Sequence, residues 1–475
     1  MSRALLLVVL IAGLALALPD TSEATTFHEI KKLSASDAEA VDKFGYTVAI
    51  RGDAVIVGTS SGEAAYIFQR NNGGANEWGE IKKLTGFGAE GGEQFGFSVA
   101  VSGDTAIVGA WAENSGAGGN SGAAYVFQRD QGGTNNWGEV TKLITSDSQL
   151  QDHFGYSVAI SGNTVLVGAR QSFVEGNTGA AYVFQRDQGG SDNWGEVKKL
   201  TGSDAETDRQ FGRSVAVNND TAIVVALVPG AAYVFQRDQG GSDNWGEVKK
   251  LTGSGAQFSD EFGISLALDA DTAVVGSWRH DAAGDDAGAA YIFSRDHGGT
   301  NNWGEVTKLT ASDAEQQDHF GIGVAVSGDR ALVGAHEKLG FNVGVAYVYE
   351  RNEGGVDGWG EVKTLTASDA QTNDAFGWSV ALSDDIAVVG AITEDGSGPV
   401  GFSSGAAYVF DLQLPKSTPL PPPIGGFALD ADLRSLPLET AAPDSAPSTI
   451  VPAIAAAASV VTAAAWCARR RRGSS

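Results

Sequence analysis

The chain has 475 residues and a formal net charge of −26, because 58 Asp and Glu outnumber 32 Lys and Arg. Its one dense basic cluster is an arginine run near the C-terminus. This composition argues against nucleic-acid binding, which needs Lys and Arg across the surface to neutralise phosphates. A single cysteine, Cys467, excludes a fold held together by disulfide bonds.

Residues 1–24 are typical of a secretory signal peptide. Arg3 precedes an apolar stretch at residues 4–18. Residues 22–24, Ser-Glu-Ala, have the small residues expected at a signal-peptide cleavage site. Such a segment is removed from the mature protein and takes no part in its fold. We therefore expect a protein of the secretory pathway, at the cell surface or envelope, with its ectodomain outside. An uncleaved anchor is the alternative.

Residues 26–413 contain seven copies of one pattern. The consensus of the copies reads F-G-x-x-x-A, a tight turn, a strand ending in V-G-A, a variable loop, G-A-A-Y-V-F and then W-G-E-V-x-K-L. Self-similarity at a period of 51 to 59 residues indicates a propeller, a solenoid or an array. The Phe-Gly pair begins at Phe44, Phe95, Phe154, Phe211, Phe262, Phe320 and Phe376.

The second copy illustrates why each repeat predicts four short strands. Residues 95–101 alternate large apolar with small or polar side chains, and residues 105–110 form a β-branched run. Ser-Gly-Asp at 102–104 supplies the turn between them. Residues 122–127 and 137–143 give the third and fourth strands. Four short antiparallel strands form one propeller blade, so the pattern predicts an all-β fold.

The two ends of the repeat region predict a closed ring. The seventh copy stops after Phe410 without a W-G-E-V strand, whereas residues 27–33 match that strand with Phe in place of Trp. The N-terminal strand is therefore expected to complete the last blade and to leave no free edge. The prediction is a seven-bladed β-propeller with four antiparallel strands per blade.

Two repeated features have structural interpretations. The Trp that opens each fourth strand is expected to fill the space between blades, because its large ring buries apolar area. Acidic residues two and seven positions before most Phe-Gly pairs predict either backbone capping or a ring of weak cation sites. The tryptophans are Trp78, Trp137, Trp194, Trp245, Trp303 and Trp359.

The C-terminal part of the chain predicts a stalk followed by a membrane or sorting segment. Residues 414–450 are Pro-rich and are expected to be a disordered linker. Residues 451–468 form an uncharged Ala/Val run, and eighteen residues of helix span about 27 Å, enough for the hydrocarbon core of a membrane. The basic tail at 469–475 fits a cytoplasmic stop. A sorting tail that is cleaved after export has the same features.

The repeats resemble the FG-GAP repeats of the integrin α-subunit N-terminal propeller. The resemblance depends on the Phe-Gly pair and on V-G-A, as at residues 108–110 and 333–335, and it covers residues 26–413. It implies a seven-bladed propeller that serves extracellular recognition or adhesion. The Pro of "GAP" is absent, and Trp111, Arg170 and His336 stand at that position in three copies.

Calcium is implied only weakly by the resemblance. Integrin-type repeats often carry a D-x-D-x-D-G calcium loop between the first two strands, and here that loop has shortened to three residues such as Ser-Gly-Asp. Calcium takes about 6–8 oxygen ligands, and most of these turns offer one carboxylate. Two turns offer two carboxylates each, which makes weak candidates of Asp269 with Asp271 and Asp384 with Asp385.

The loops between the second and third strands differ most between copies. Variable loops on a rigid repeat scaffold are where binding sites usually lie. The alternative is that these loops vary without function. The candidate binding residues in them are Trp111, Arg170, Phe173, Trp278, Arg279, His336 and Phe341.

The remaining polar candidates are few. His280, with three nearby aspartates, is the most metal-like cluster, and His153 and His319 share one position in two copies. Asn219 begins the N-x-S/T sequon and would carry a glycan in a eukaryote.

These observations predict a non-catalytic binding or adhesion module for an extracellular protein or glycan partner, attached to a membrane or envelope by its C-terminal segment. One alternative is a propeller hydrolase or lyase, which would need paired carboxylates in one or two blades. The other is a passive structural surface protein. No cofactor is expected beyond the weak possibility of calcium.

Overall fold

The computed structural model describes residues 27–88, 91–116, 118–170, 178–204, 210–228, 230–338, 342–353, 355–395 and 403–413. The predicted signal peptide, linker, C-terminal helix and basic tail lie outside these residues. Within them, none of the helices has the length and apolar character needed to cross a membrane.

The described residues form seven four-stranded antiparallel sheets. In each sheet the first two strands of the copy are the inner pair. The first strands are β2 Thr47–Arg51, β6 Phe95–Ser102, β10 Phe154–Ser161, β14 Phe211–Asn218, β18 Leu266–Asp269, β22 Val324–Ser327 and β26 Phe376–Ser383. The second strands are β3 Ala54–Gly58, β7 Thr105–Ala110, β11 Thr164–Ala169, β15 Thr221–Ala226, β19 Thr272–Ser277, β23 Arg330–Ala335 and β27 Ile386–Ala391.

The outer pair of each sheet comes from the G-A-A-Y-V-F and W-G-E-V motifs. One turn of 3₁₀ helix, Phe258–Asp260, precedes the fifth Phe-Gly pair. The third strands are β4 Ala65–Gln69, β8 Ala123–Gln128, β12 Ala180–Gln185, β16 Ala231–Gln236, β20 Ala289–Ser294, β24 Val345–Arg351 and β28 Ala406–Asp411. The fourth strands are β5 Gly79–Leu84, β9 Gly138–Leu143, β13 Gly195–Leu200, β17 Gly246–Leu251, β21 Gly304–Leu309, β25 Trp359–Leu365 and, from the N-terminus, β1 His28–Leu33.

The N-terminal strand closes the ring, as predicted. β1 pairs antiparallel with β28, from His28 opposite Asp411 to Leu33 opposite Ala407. It also contacts the loop between β25 and β26, because the two carboxylate oxygens of Glu29 accept hydrogen bonds from the amide and the hydroxyl of Ser368. The all-β, seven-bladed fold with a closing N-terminal strand is therefore confirmed.

Neighbouring blades approach each other closely at the V-G-A glycine of the second strand. A Cβ on Gly109 would lie 2.0 Å from the carbonyl oxygen of Gly155 in the next blade. The Ser98 hydroxyl donates to that same oxygen at 2.8 Å. Glycine stands at this position in six of the seven copies, with Val225 in the fourth, and lets neighbouring sheets converge near the axis.

The six tryptophans pack between blades, as the sequence predicts. Trp137 is 1 % exposed and lies in a cluster with Ile56 of the first blade and Val108 of the second. The Arg129 guanidinium lies 5.2 Å from the centre of its indole ring. The indoles are thus scaffold and are not available to a ligand.

The acidic residues before the Phe-Gly pairs are also scaffold. Asp42 accepts a hydrogen bond from the Glu39 amide at 2.8 Å, and the same backbone cap recurs at Asp152, Asp260, Asp318 and Asp374. This bears out the capping interpretation for these five.

The acids seven positions before Phe bind the tyrosine of the third strand. Asp37 accepts from the Tyr66 hydroxyl at 2.9 Å and from the Lys83 ammonium at 2.6 Å. The lysine holds the pKa of Asp37 below its ordinary value. The same tyrosine contact recurs at Asp147, Asp204, Asp313 and Asp369.

The ring has two ends that differ in chemistry. We call one end the Phe-Gly face: the first strands begin there and the second strands end there. The variable loops between the second and third strands lie on this face. The opposite end, the turn face, carries the short turns between first and second strands. The candidate functional residues divide between these two faces.

Candidate functional site

A cavity of about 430 Å³ lies on the axis at the Phe-Gly face, lined by residues from all seven first strands. The side chains that narrow it come from the position two residues after each Phe. Five different residue types occupy this position in the seven copies, although the scaffold around it repeats. Its occupants are Tyr46, Phe97, Tyr156, Arg213, Ile264, Ile322 and Trp378.

Four of these side chains form a continuous aromatic arc. The Tyr46 ring lies between Phe97, at 4.9 Å between centroids, and Trp378, at 5.7 Å. Phe97 in turn lies 4.9 Å from Tyr156. Burial raises the pKa of Tyr46 to about 12, so its hydroxyl is neutral at pH 7 and can donate a hydrogen bond. The arc offers ring faces together with a polar donor.

Arginines flank one end of the arc. The guanidinium of Arg170 lies 4.1 Å from the Tyr156 centroid, and that of Arg213 lies 4.9 Å from it. Burial lowers the pKa of Arg170 from its very high ordinary value. The Arg170 Nε is buried without a hydrogen-bond partner. The two guanidinium groups against the Tyr156 ring therefore give this end of the arc positive charge and hydrogen-bond donors.

Trp111 lies directly behind the arc. Its indole is 5.9 Å from Phe97 and 4.7 Å from the His153 ring. The indole Nε1 is buried and has no hydrogen-bond partner. Burial lowers the pKa of His153 to about 4, so this imidazole is neutral at pH 7. Trp111, which directly follows the second strand, therefore packs against the arc through Phe97.

A second group of polar and aromatic residues stands in the fifth blade. The Trp278 indole donates to Glu261 at 3.0 Å, and Arg279 lies 3.2 Å from the other oxygen of that carboxylate. The Arg279 guanidinium also lies 4.6 Å from the Trp278 ring centre. The sequence placed Trp278 and Arg279 among the binding residues but did not identify Glu261 as their partner.

The third group belongs to the sixth blade and contains two histidines and a glutamate. His319 Nδ1 lies 3.2 Å and His336 Nε2 lies 3.5 Å from the same Glu337 oxygen, Oε1. His336 is 6 % exposed, and burial lowers its pKa to about 3. The sequence indicated the two histidines separately but did not identify Glu337. The signal available was that these three positions are His, His and Glu in one copy alone.

Four of the predicted binding residues thus meet at one place. Each follows the V-G-A or V-G-S end of a second strand, so each reaches the rim of the axial cavity. We call this region the channel mouth; it consists of the arc, Arg213, Ile264 and Ile322 together with Trp111, Arg170, Trp278 and His336. Phe173 and Phe341 lie outside the described residues.

The weak calcium candidates lie on the turn face, far from the channel mouth in the fold. Asp269 accepts from the Gly328 amide at 2.8 Å, and Asp271 pairs with Arg295 at 2.9 Å. Asp385 accepts from Arg330, and Asp384 is exposed. Asn219 is also exposed on this face, where a glycan could be attached.

His280 stabilises the loop between β19 and β20 in the fifth blade. Its Nδ1 accepts a hydrogen bond from the Ala282 amide at 2.8 Å, and its Nε2 lies 3.8 Å from Asp260. Burial lowers its pKa. The Asp286 amide donates to Asp281 at 3.0 Å, so the aspartates of this loop support its backbone.

The fold and the channel mouth define the class of protein: a seven-bladed β-propeller whose repeated scaffold presents a non-repeated surface at one end. The family model described as the FG-GAP repeat matches seven segments that together cover more than half of the chain. The chain therefore belongs to the FG-GAP repeat family. No curated protein matches it. The matched segments are 27–75, 78–127, 137–184, 194–235, 245–293, 303–349 and 359–410.

Proposed function

We propose that this protein is an exported FG-GAP propeller, anchored at the membrane or envelope, that binds a protein or glycan partner without catalysis through the channel mouth. The observation that carries the proposal is the aromatic arc on a scaffold that otherwise repeats. Packing explains the residues that all seven copies share, but it does not require Tyr46, Phe97, Tyr156 and Trp378 to line an open cavity.

The chemistry of the mouth suits such partners. Tyr and Trp supply large, rigid contact area with few rotatable bonds, and with Arg they dominate the affinity of interfaces. A cavity of about 430 Å³ falls in the range that ordinarily holds a small ligand, roughly 300–1,000 Å³. It therefore has room for the end of a glycan or for a few side chains of a protein loop.

The two classes of partner use the mouth differently. A glycan would stack its sugar rings on the aromatic faces and take hydrogen bonds from Tyr46 and Arg213. A protein would place an anchor side chain in the cavity and make rim contacts with Glu261 and Arg279. Arrays of immobilised glycans and of cell-surface proteins, probed with the same full-length chain, separate these cases.

The test compares the wild type with one variant on each face. Tyr46→Ala is expected to weaken retention about tenfold or more, because truncating a central aromatic anchor costs roughly 2 kcal/mol. Val356→Ala, which alters a side chain 94 % exposed on the turn face, is expected to bind like the wild type. Absence of retention on either array, or equal binding by Tyr46→Ala, would contradict the proposal.

Export and anchoring need a separate experiment. The supporting features are the apolar segments at residues 4–18 and 451–468, together with the arginines at 469–472. Cell fractionation followed by mass spectrometry of both ends should find a mature chain beginning near residue 25 in the membrane or envelope fraction. Retention of residues 469–472 would identify a membrane anchor, and their loss would identify a cleaved sorting tail.

A further inference from the structure

We infer that His319, His336 and Glu337 form a binding site for one divalent transition-metal ion, such as Zn²⁺, at the channel mouth. Among the residues that the structure describes, these are the three whose ligand atoms come close enough to share one ion, all within 4.8 Å of one another. A metal here does not depend on whether the mouth also binds a partner.

The two nitrogen-to-oxygen distances and the separation of the imidazole rings agree with tetrahedral coordination. Ligand atoms about 2.0–2.2 Å from a tetrahedral zinc lie about 3.3–3.6 Å from one another. The two observed nitrogen-to-oxygen distances, with Glu337 Oε1, are 3.2 Å for His319 and 3.5 Å for His336. Two imidazoles on one such ion, with rings about 1.2 Å in radius, would have centroids about 5.2 Å apart. The observed separation is 5.2 Å.

Direct hydrogen bonding does not account for this convergence. His319 Nδ1 is buried, and although it lies 3.2 Å from the Glu337 carboxylate it forms no hydrogen bond with it. Burying a polar nitrogen without a partner is costly. A metal bound between the nitrogen and the oxygen would satisfy both atoms.

The surroundings hold the donors in place. His336 packs 5.0 Å from Trp378, and His319 packs 4.5 Å from Trp278. The nearest lysine in sequence, Lys338, is 2 % exposed and bonds Asp318 at 2.9 Å. Its charge is therefore paired there, away from the Glu337 oxygen that faces the imidazoles.

The donor set selects the kind of metal. Two imidazoles and one carboxylate suit zinc, nickel, copper or cobalt, whereas calcium and magnesium prefer sets made of oxygen alone. Three protein ligands leave a fourth position open. The Glu337 side chain is 31 % exposed, so water or a group of a bound partner could reach the ion.

The other blades supply a natural control. The third blade has His153 at the position of His319, but Arg170 stands where the sixth blade has His336. A cation at that position excludes a metal ion. His153→Gln therefore removes an equivalent imidazole from the same ring without touching the proposed site.

The experiment titrates Co²⁺ and then Zn²⁺ into full-length protein that has been treated with a chelator. The wild type is expected to bind one equivalent of Co²⁺ with the visible absorption of tetrahedral cobalt, and Zn²⁺ should displace it. His319→Gln and Glu337→Gln should each weaken binding by about tenfold or more, since lesser changes around zinc sites cost 10–100-fold. His153→Gln should bind like the wild type, and millimolar Ca²⁺ should not compete.

Thermal unfolding followed by circular dichroism shows whether each variant is folded. Glu337→Gln keeps the shape of a part-exposed side chain, so it decides the question if His319→Gln does not fold. No stoichiometric binding by the wild type would overturn the inference. So would wild-type affinity in the folded Glu337→Gln variant, an equal loss in His153→Gln, or competition by Ca²⁺.

Discussion

Gly109 shows how a single residue sets the distance between two blades. An added Cβ would meet a backbone carbonyl oxygen, that of Gly155, at 2.0 Å, and a carbonyl cannot rotate away as a flexible side chain could. Gly155 itself has a φ of 87°, a conformation that glycine adopts without strain. The Phe-Gly and V-G-A glycines are therefore parts of one contact between blades.

Gly109→Ala is expected to lower the free energy of unfolding by about 1–3 kcal/mol, the usual cost of overpacking. Chemical denaturation measures this loss. The matched control is Gly91→Ala, because a Cβ there meets no atom within 4 Å. Equal stability of Gly109→Ala and the wild type would show that the blades can separate at no cost.

The residues of the channel mouth were only partly predictable. Trp111, Arg170, Trp278 and His336 could be found because they replace the expected residue after V-G-A. Phe97 could not, because in F-G-F-S-V it has the spacing of an ordinary strand residue. Only the closed ring, which brings seven such positions around one axis, reveals it as a lining residue.

At the scale of elements, a β-bulge explains why the arc escaped detection. In the second blade Phe95 pairs with Ala110 and Ser98 with Gly109, so Gly96 and Phe97 have no partners in the second strand. A bulge leaves residues unpaired and re-aims a side chain. The alternation of apolar and polar residues along the strand does not reveal this bulge. The repeat, in contrast, was enough to predict the number of strands, their order and the closure of the ring.

The N-terminal strand β1 is the element on which closure depends. Leu33 is 2 % exposed and packs between the last blade and the first, with Ile30 beside it. Lys32 bonds Asp369 at 2.7 Å and Glu394 at 2.5 Å. Without β1, the edge of β28 would be open to pairing with another chain.

A chain that begins at residue 35 is therefore expected to unfold several degrees below one that begins at residue 25. The truncation removes the buried Leu33 and the partly buried Phe27 and Ile30. A fully buried apolar side chain contributes roughly 1.5–3 kcal/mol, and each kcal/mol lowers the midpoint by at most about 2–4 °C in a domain of this size. Differential scanning calorimetry gives the midpoints. Size-exclusion chromatography should also show oligomers of the shorter chain only, and a stable monomer would contradict the role given to β1.

At the scale of the whole molecule, the carboxylates on the two faces of the ring have different partners. On the turn face carboxylates cross-link blades: Asp269 of the fifth blade accepts from Gly328 of the sixth, and Asp385 of the seventh accepts from Arg330 of the sixth. Beside the channel mouth, in contrast, Glu261 contacts Trp278 and Arg279, and Glu337 contacts His319 and His336. No other copy repeats either combination of side chains. Symmetric positions therefore maintain the ring, and asymmetric positions carry its chemistry.

This division predicts that the propeller does not need calcium. Each turn offers at most two carboxylates, and Asp269, Asp271 and Asp385 already bind protein donors, whereas calcium requires about 6–8 oxygens. Protein stripped of metals with EGTA should have the same unfolding midpoint, within about 1 °C, as protein in about 1 mM Ca²⁺, which is enough to fill the weak calcium sites of extracellular modules. Calorimetry of both samples, with transition metals excluded, measures this. A midpoint that rises with Ca²⁺, and that Asp384→Asn abolishes, would instead place a calcium site on the turn face.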